Sequence, residues 1–195
     1  MKVRLDEIAD VQSGYIERKS KKSAEPKYIS IIQLRDLNVN GTINYDNVKQ
    51  QEISSNDRYP RLYPGDVIFA AKGSKRSAGV IDRELKEATV SNHYLLVRIR
   101  DDFKDRVLPG YLAFYMRQKP AMDYFDRCAS GSHIPFVSAA ALKELEVEIP
   151  MAEKQKKLAE LGELIGREYE LDRKLGELKK VYYKNSVERL MKVGK

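Results

Sequence analysis

The chain has 195 residues, 42% of them hydrophobic and 33% charged, with a formal net charge of +7 and one cysteine, Cys128. That length suits one full domain plus an appendage, and no uncharged apolar run is long enough to span a membrane. A single cysteine excludes an intrachain disulfide or a cysteine-rich metal site. The start Met1-Lys2-Val3-Arg4-Leu5-Asp6-Glu7 lacks the apolar core of a secretory signal, so a cytoplasmic protein is expected.

Leu5, Ile8, Ala9 and Val11 suggest a short helical turn leading to Ser13-Gly14, followed by a basic polar loop over 17–27. Tyr28-Ile29-Ser30-Ile31-Ile32-Gln33-Leu34 reads as a strand by its β-branched content, and Asn38-Val39-Asn40-Gly41 as a turn. Residues 44–60 are weakly patterned, a loop with one short strand at most. Tyr63-Pro64-Gly65-Asp66 turns into a buried strand, Val67–Ala71, which runs into Lys72-Gly73-Ser74-Lys75-Arg76. Two further strands are expected at 78–82 and 94–99, the second central because of its run of apolar residues. After Pro109 the period becomes helical, with Tyr111, Leu112, Phe114 and Tyr115, then Ala121, Met122 and Phe125 behind Pro120. Ala129–Pro135 reads as a loop. Ser138 is placed to cap a short helix over 139–145, and 146–149 is a strand returning to the sheet, closed by Pro150.

The last stretch, 151–195, reads as one long helix. Counted in sevens from Leu161, its seam carries Leu161, Leu164, Glu168, Leu171, Leu175, Leu178, Tyr182, Asn185 and Arg189. At about 1.5 Å per residue, 154–192 spans roughly 58 Å, longer than a small domain is wide. Such a rod needs a partner helix, and its polar seam residues can fix register. The expected fold is α+β: a globule over 1–150 with a mixed, mostly antiparallel sheet and short helices, then a coiled-coil helix over 151–195.

Catalytic chemistry finds little support. Two histidines, His93 and His133, cannot build a three-histidine zinc site, and Ser91-Asn92-His93 shows no elbow and no third member. No Gly-rich loop opens a helix after a strand. Asp101, Asp102 and Asp105 read as a solvated turn, and Cys128 as a small half-buried helix residue. No catalytic residue, metal or cofactor is expected.

Charge clusters in two bursts, Arg18-Lys19-Ser20-Lys21-Lys22 and Lys72–Arg76, each beside small residues. Such loops either approach phosphates closely or are merely solvated surface. For Ser130-Gly131-Ser132-His133, contact with a base edge or phosphate stands against a structural turn.

Gly131-Ser132-His133-Ile134-Pro135-Phe136-Val137, then Leu142-Lys143-Glu144-Leu145-Glu146-Val147-Glu148-Ile149-Pro150 and Glu153-Lys154-Gln155, resemble the end of a target recognition domain in Type I restriction–modification specificity (S) subunits. Leu5–Gly14 and Tyr63–Ile68 are similar to the same family, so the resemblance touches nearly the whole chain. Family members usually carry two recognition domains and two long helices, and this chain carries one of each. The resemblance implies a half-length S subunit that binds double-stranded DNA, forms a homodimer through its helix, reads an inverted bipartite target, and assembles with methyltransferase (M) and restriction (R) subunits that hold the chemistry. Expected DNA contacts are Lys72, Gly73, Ser74, Lys75, Arg76, Ser130, Gly131, Ser132 and His133. Arg76 is a candidate guanine reader, while Arg18, Lys19, Lys21 and Lys22 add general attraction. Leu161, Leu164, Leu171, Leu175, Leu178 and Tyr182 are expected to pair the helices. The competing expectation is a protein–protein adaptor whose helix docks a partner and whose globule binds no DNA.

Overall fold

The computed structural model describes residues 1–17, 26–73, 76–130 and 135–192. In chain order the elements are β1 (Lys2–Arg4), α1 (Leu5–Ile8), β2 (Ala9–Ser13), β3 (Pro26–Ile32), β4 (Lys49–Ser54), β5 (Val67–Ala70), β6 (Ala78–Val80) and β7 (Ala88–Val90). They continue with β8 (Tyr94–Ile99), α2 (Pro109–Met116), α3 (Lys119–Cys128), α4 (Ala139–Lys143), β9 (Glu146–Glu148) and α5 (Ala152–Lys192). The architecture is α+β, as expected.

β5 and β8 lie at the centre of a four-stranded antiparallel sheet, order β2-β8-β5-β6. Their apolar runs are continuous because both faces are covered. Val67, Phe69, Leu95, Val97 and Ile99 pack under the helices with Leu112, Met116, Phe125 and Leu142. Ile68, Ala70, Tyr94 and Leu96 face the other way, onto Ile32, Ala88 and Val90 of a second sheet, order β4-β3-β7. The register sets Val11, Val97, Val67 and Val80 in one row across the first sheet. Helices, sheet and sheet thus form three layers, with Ile29, Ile31 and Ile53 in a small cluster with Tyr15.

Arg98 is the polar exception in β8. Its Nε and Nη2 each donate at 2.7 Å to the two carboxylate oxygens of Asp66, which also accepts the Tyr63 amide at 2.8 Å. The Asp66 carboxylate holds the guanidinium above its ordinary value, and the Tyr63 ring lies beneath it. Glu87, the one non-glycine residue with positive φ (31°) among the described residues, ties the second sheet. Its backbone carbonyl accepts from Ser30, and its carboxylate meets Lys27 at 2.7 Å and the Tyr59 hydroxyl at 2.5 Å. Those two donors hold that carboxyl down at about 2.

Four expectations need correction. The strand at 146–148 does not return to the main sheet; it pairs with β1 in a separate two-stranded sheet, Val3 opposite Val147. The backbone amide of Leu5 donating to Leu145 continues this seam, so the two ends of the globule are joined. The opening helical turn is present but ends at Ile8, because Ala9 and Val11, expected to belong to it, are drawn into strand pairing with β8. The short helix ends at Lys143, although Ser138 caps it as expected, accepting from the Ala141 amide at 3.1 Å. β1 and β7 were not anticipated: each is a three-residue strand made by pairing with a distant segment.

α5 starts against the globule. Gln155 is fully buried; its Oε1 accepts from the Leu108 amide at 2.9 Å, and its Nε2 donates to Arg106 and Pro150 carbonyls at 2.7 and 2.8 Å. Tyr111 and Tyr115 of α2 donate their hydroxyls to the carbonyls of Glu148 and Glu146, fixing β9 just before the helix. Asp66→Ala should strand the Arg98 guanidinium and the Tyr63 amide together, at a cost of about 2–3 kcal/mol, held below the fully buried case by the partial exposure of Arg98. A urea midpoint that does not move would contradict this account.

Candidate nucleic-acid interface

Strand pairing gathers four chain segments at one edge of the two sheets. Parallel pairing sets Ile32 opposite Val90, so the turns after β3 and β7 end together; Ala70 lies opposite Tyr94, which brings the end of β5 to the same place. The backbone then stitches these turns to each other. Ala71 and Lys72 amides both donate to the His93 carbonyl, at 2.9 and 3.3 Å, and the Ser91 amide donates to Ile32 at 3.0 Å. Val137 donates to Ala71 at 2.9 Å and Gly73 to Pro135 at 3.0 Å, while Ser130 and Phe136 exchange two bonds of 3.0 and 2.9 Å. Lys72 itself bridges Phe136.

The two loops picked out in the sequence, at 72–76 and 130–133, are therefore neighbours wherever they are described. Gly73 explains itself: its φ of +101° is the left-handed region that other side chains resist, although nothing would crowd a Cβ there. Lys72 is half-buried, and Ser130 is exposed. Ser74, Lys75, Gly131, Ser132, His133, Arg18, Lys19, Lys21 and Lys22 lie outside the described residues.

Arg76 is placed differently from the expectation. Its side chain is only 8% exposed and is ion-paired through Nη1 with Asp126 of α3, which is 67% exposed. Its Nε has no hydrogen-bond partner. A guanidinium so placed is not free to present both arms to guanine; it anchors its loop to α3.

Three residues join this edge that sequence reasoning did not assign there. Arg35, exposed in the turn after β3, lines a groove of about 340 Å³ with Leu34, Val39, Lys72, Gly73 and Ser77. Behind it Asp36 is fully buried, one carboxylate oxygen accepting the Gln33 amide at 2.8 Å and the other unpartnered, 3.6 Å from the Arg35 Nε. His93 is exposed, with Nδ1 3.5 Å from the Ser91 hydroxyl, and Phe136 offers an exposed ring. Arg35 carries no local motif, and neither Ser91-Asn92-His93 nor the segment around Phe136 marks those two residues as lying beside it. Only the strand register brings Arg35 and His93, 58 positions apart, to one rim.

The second candidate surface is the rod. Gln155, Gly162 and Gly166 face the globule. At about 100° per residue, Leu164, Leu171, Leu178 and Tyr182 fall on the opposite side, with Leu175 beside them and Leu161 on the flank. All six are exposed, from 47% at Leu161 to 68% at Tyr182. A second apolar stripe on the globule-facing side starts at Ile165, beside the last contact with the globule, and continues outward through Tyr169, Tyr183 and Val187; it was not seen by counting in sevens. Among the described residues no helix is long and apolar enough to cross a membrane, and no cluster of His, Cys, Asp or Glu could hold a metal ion.

The family model described as Type I restriction modification DNA specificity domain matches residues 1–176. The chain belongs to this family. No curated protein matches it in sequence. Among solved structures, an HsdS subunit from Thermoanaerobacter tengcongensis is similar over 92% of this chain and 45% of its own, with a TM-score of 0.60 and 18% identity. A chain from a structure concerned with complex assembly and conformational transition of the type I R-M system gives a TM-score of 0.64 at 17% identity, over 92% of this chain and 45% of its own. A Type-I restriction-modification system S subunit from M. genitalium gives 0.51 at 13%, over 83% of this chain and 37% of its own. At these identities the likeness is one of fold, and this specificity-domain chain spans less than half the length of the structures it matches.

For this member of the family, the Arg76–Asp126 pair should behave as one unit. Arg76→Ala and Asp126→Ala should each destabilise, and the double variant should cost less than their sum, a coupling on the order of 1 kcal/mol. Denaturant titration of the four proteins in that cycle measures it.

Proposed function

We propose that the chain is a non-catalytic DNA-specificity subunit with one recognition module, acting as a homodimer that reads an inverted bipartite duplex target. The observation that carries this reading is the opposition of its two surfaces. The edge holding Lys72, Gly73, Ser130, Arg35 and His93 is built from turns locked by backbone bonds, leaving side chains of the cationic and polar kinds that meet phosphates and base edges. The leucine seam of α5 points away from the globule, so a second copy can pair with it without displacing anything.

Antiparallel pairing of two such rods would put the modules at opposite ends. The 41 residues of α5 extend about 60 Å, between one and two turns of duplex DNA at roughly 34 Å each. Two inverted half-sites with unspecified bases between them follow from that geometry and its two-fold symmetry. The second apolar stripe beyond the globule is left free by such a dimer and suits an M subunit, with R joining the larger assembly; methyl transfer and cleavage would belong to those partners. Arg18, Lys19, Lys21, Lys22, Ser74, Lys75, Gly131, Ser132 and His133 complete the proposed DNA surface.

Two measurements test this reading. Lys72→Ala should weaken binding to a selected duplex and flatten the dependence of log affinity on log salt by about one unit. An adaptor that does not bind DNA would show no such slope in the unmodified protein. Leu171→Glu with Leu178→Glu should convert a dimer into a monomer in light scattering, because burying two charges opposite each other removes the seam. A wild-type monomer at micromolar concentration would refute the pairing.

A further inference from the structure

The rod and the globule meet at a joint whose closeness depends on missing side chains. A Cβ on Gly162 would lie 2.7 Å from Cδ2 of Phe114, and one on Gly166 would lie 3.2 Å from Cγ2 of Thr42. At Gly166 the backbone is also bonded: its carbonyl accepts from the Asn40 side-chain amide at 2.9 Å. Arg117 lies in the same joint, where burial lowers its guanidinium to about 10, and it donates to the Ala78 carbonyl at 2.5 Å. Two turns before Gly162, the three bonds of Gln155 fix the base of the helix. Contacts at 155, 162 and 166 span about 16 Å of axis, enough to define a direction and not merely a point. By contrast Gly176, farther out, has nothing within 4 Å of where a Cβ would stand.

We propose that Gln155, Gly162 and Gly166 are positioning residues that set the direction in which the rod leaves the recognition module, and through it the spacing between the two half-sites. This rests on the bipartite dimer proposed above. The leverage is large. About 26 residues of rod lie beyond the joint, roughly 39 Å, so a tilt of about 5° swings the far end sideways by about 3.4 Å, a distance comparable to the rise of one base pair, and turns the two modules relative to each other. Spacing is therefore governed by the fit of helix to globule as well as by helix length, and a single methyl group at Gly162 is enough to change it.

The experiment compares full-length wild type with Gly162→Ala on duplexes carrying the selected half-sites at every spacer length. The expected result is a shift of the preferred spacer by one base pair or more, or a spread over several lengths, with affinity at the original spacing down at least tenfold and the bases preferred within each half-site unchanged. Gly176→Ala should leave the spacer preference as it was. Removing the obstruction, in Phe114→Ala with Gly162→Ala, should restore it, which a simple loss of stability would not. A second measurement needs no DNA: spin labels at Asp102→Cys and Lys184→Cys in a Cys128→Ser background, diluted with unlabelled chain, report the angle between globule and rod. One narrow distance in the parent that moves on Gly162→Ala supports the joint. A broad distribution in the parent, or a folded Gly162→Ala protein with unchanged distance and unchanged spacer, overturns it. A wild-type protein that selects only single half-sites overturns the bipartite reading, and the label distances then still decide whether the joint is rigid.

Discussion

Burial of both faces of the β5–β8 pair is the constraint on which the other features depend. With helices on one side and the β4-β3-β7 sheet on the other, these two strands cannot slip by one residue without exchanging Phe69 and Val97 for Ile68 and Leu96 across two different cores. Fixed register means fixed ends. At one end the turns carrying Arg35, Lys72 and His93 are brought to a common rim; at the other, Arg98 closes on Asp66. A polar surface assembled from distant segments is only as well defined as the strands that deliver it, and here those strands are almost wholly buried.

The same economy operates at the rod. A helix of 41 residues with an exposed apolar side would swing freely if joined by a loop. Instead the chain goes from β9 to α5 across three residues, β9 is tied back to β1 and to the two tyrosines of α2, and Gln155 fills a buried site with every side-chain polar atom bonded. Burying an amide costs free energy unless it is fully hydrogen-bonded, so its position is strongly specified. The globule and the first turns of the rod behave as one packed unit, and the leucines are left facing outward. That orientation leaves the seam open for the pairing with a second copy proposed above.

Much of this was legible beforehand. The strands at 67–70 and 94–99 could be read because both-faces burial writes consecutive apolar residues, four at 67–70 and four at 94–97, and α2 and α3 because Pro109 and Pro120 mark their first turns. β1 and β7 could not be read, being three residues long and held by pairing with distant partners. The basic loop at 72–76 was visible by composition, yet composition could not show that Arg76 pairs with Asp126, because that ion pair depends on α3 lying against the loop, fifty positions away.

Sequence alone determined the alternation, the proline and glycine punctuation and the seven-residue seam, because these are local patterns that a chain carries whether folded or not. It thereby fixed the α+β class, the long terminal helix and the family. Tertiary structure alone decided which turns share a rim, which face of the rod meets the globule, and at which glycines the two approach too closely for a Cβ. Those outcomes come from packing between segments far apart in the chain, where a steric distance such as that from Gly162 to Phe114 exists only once both helices are in place.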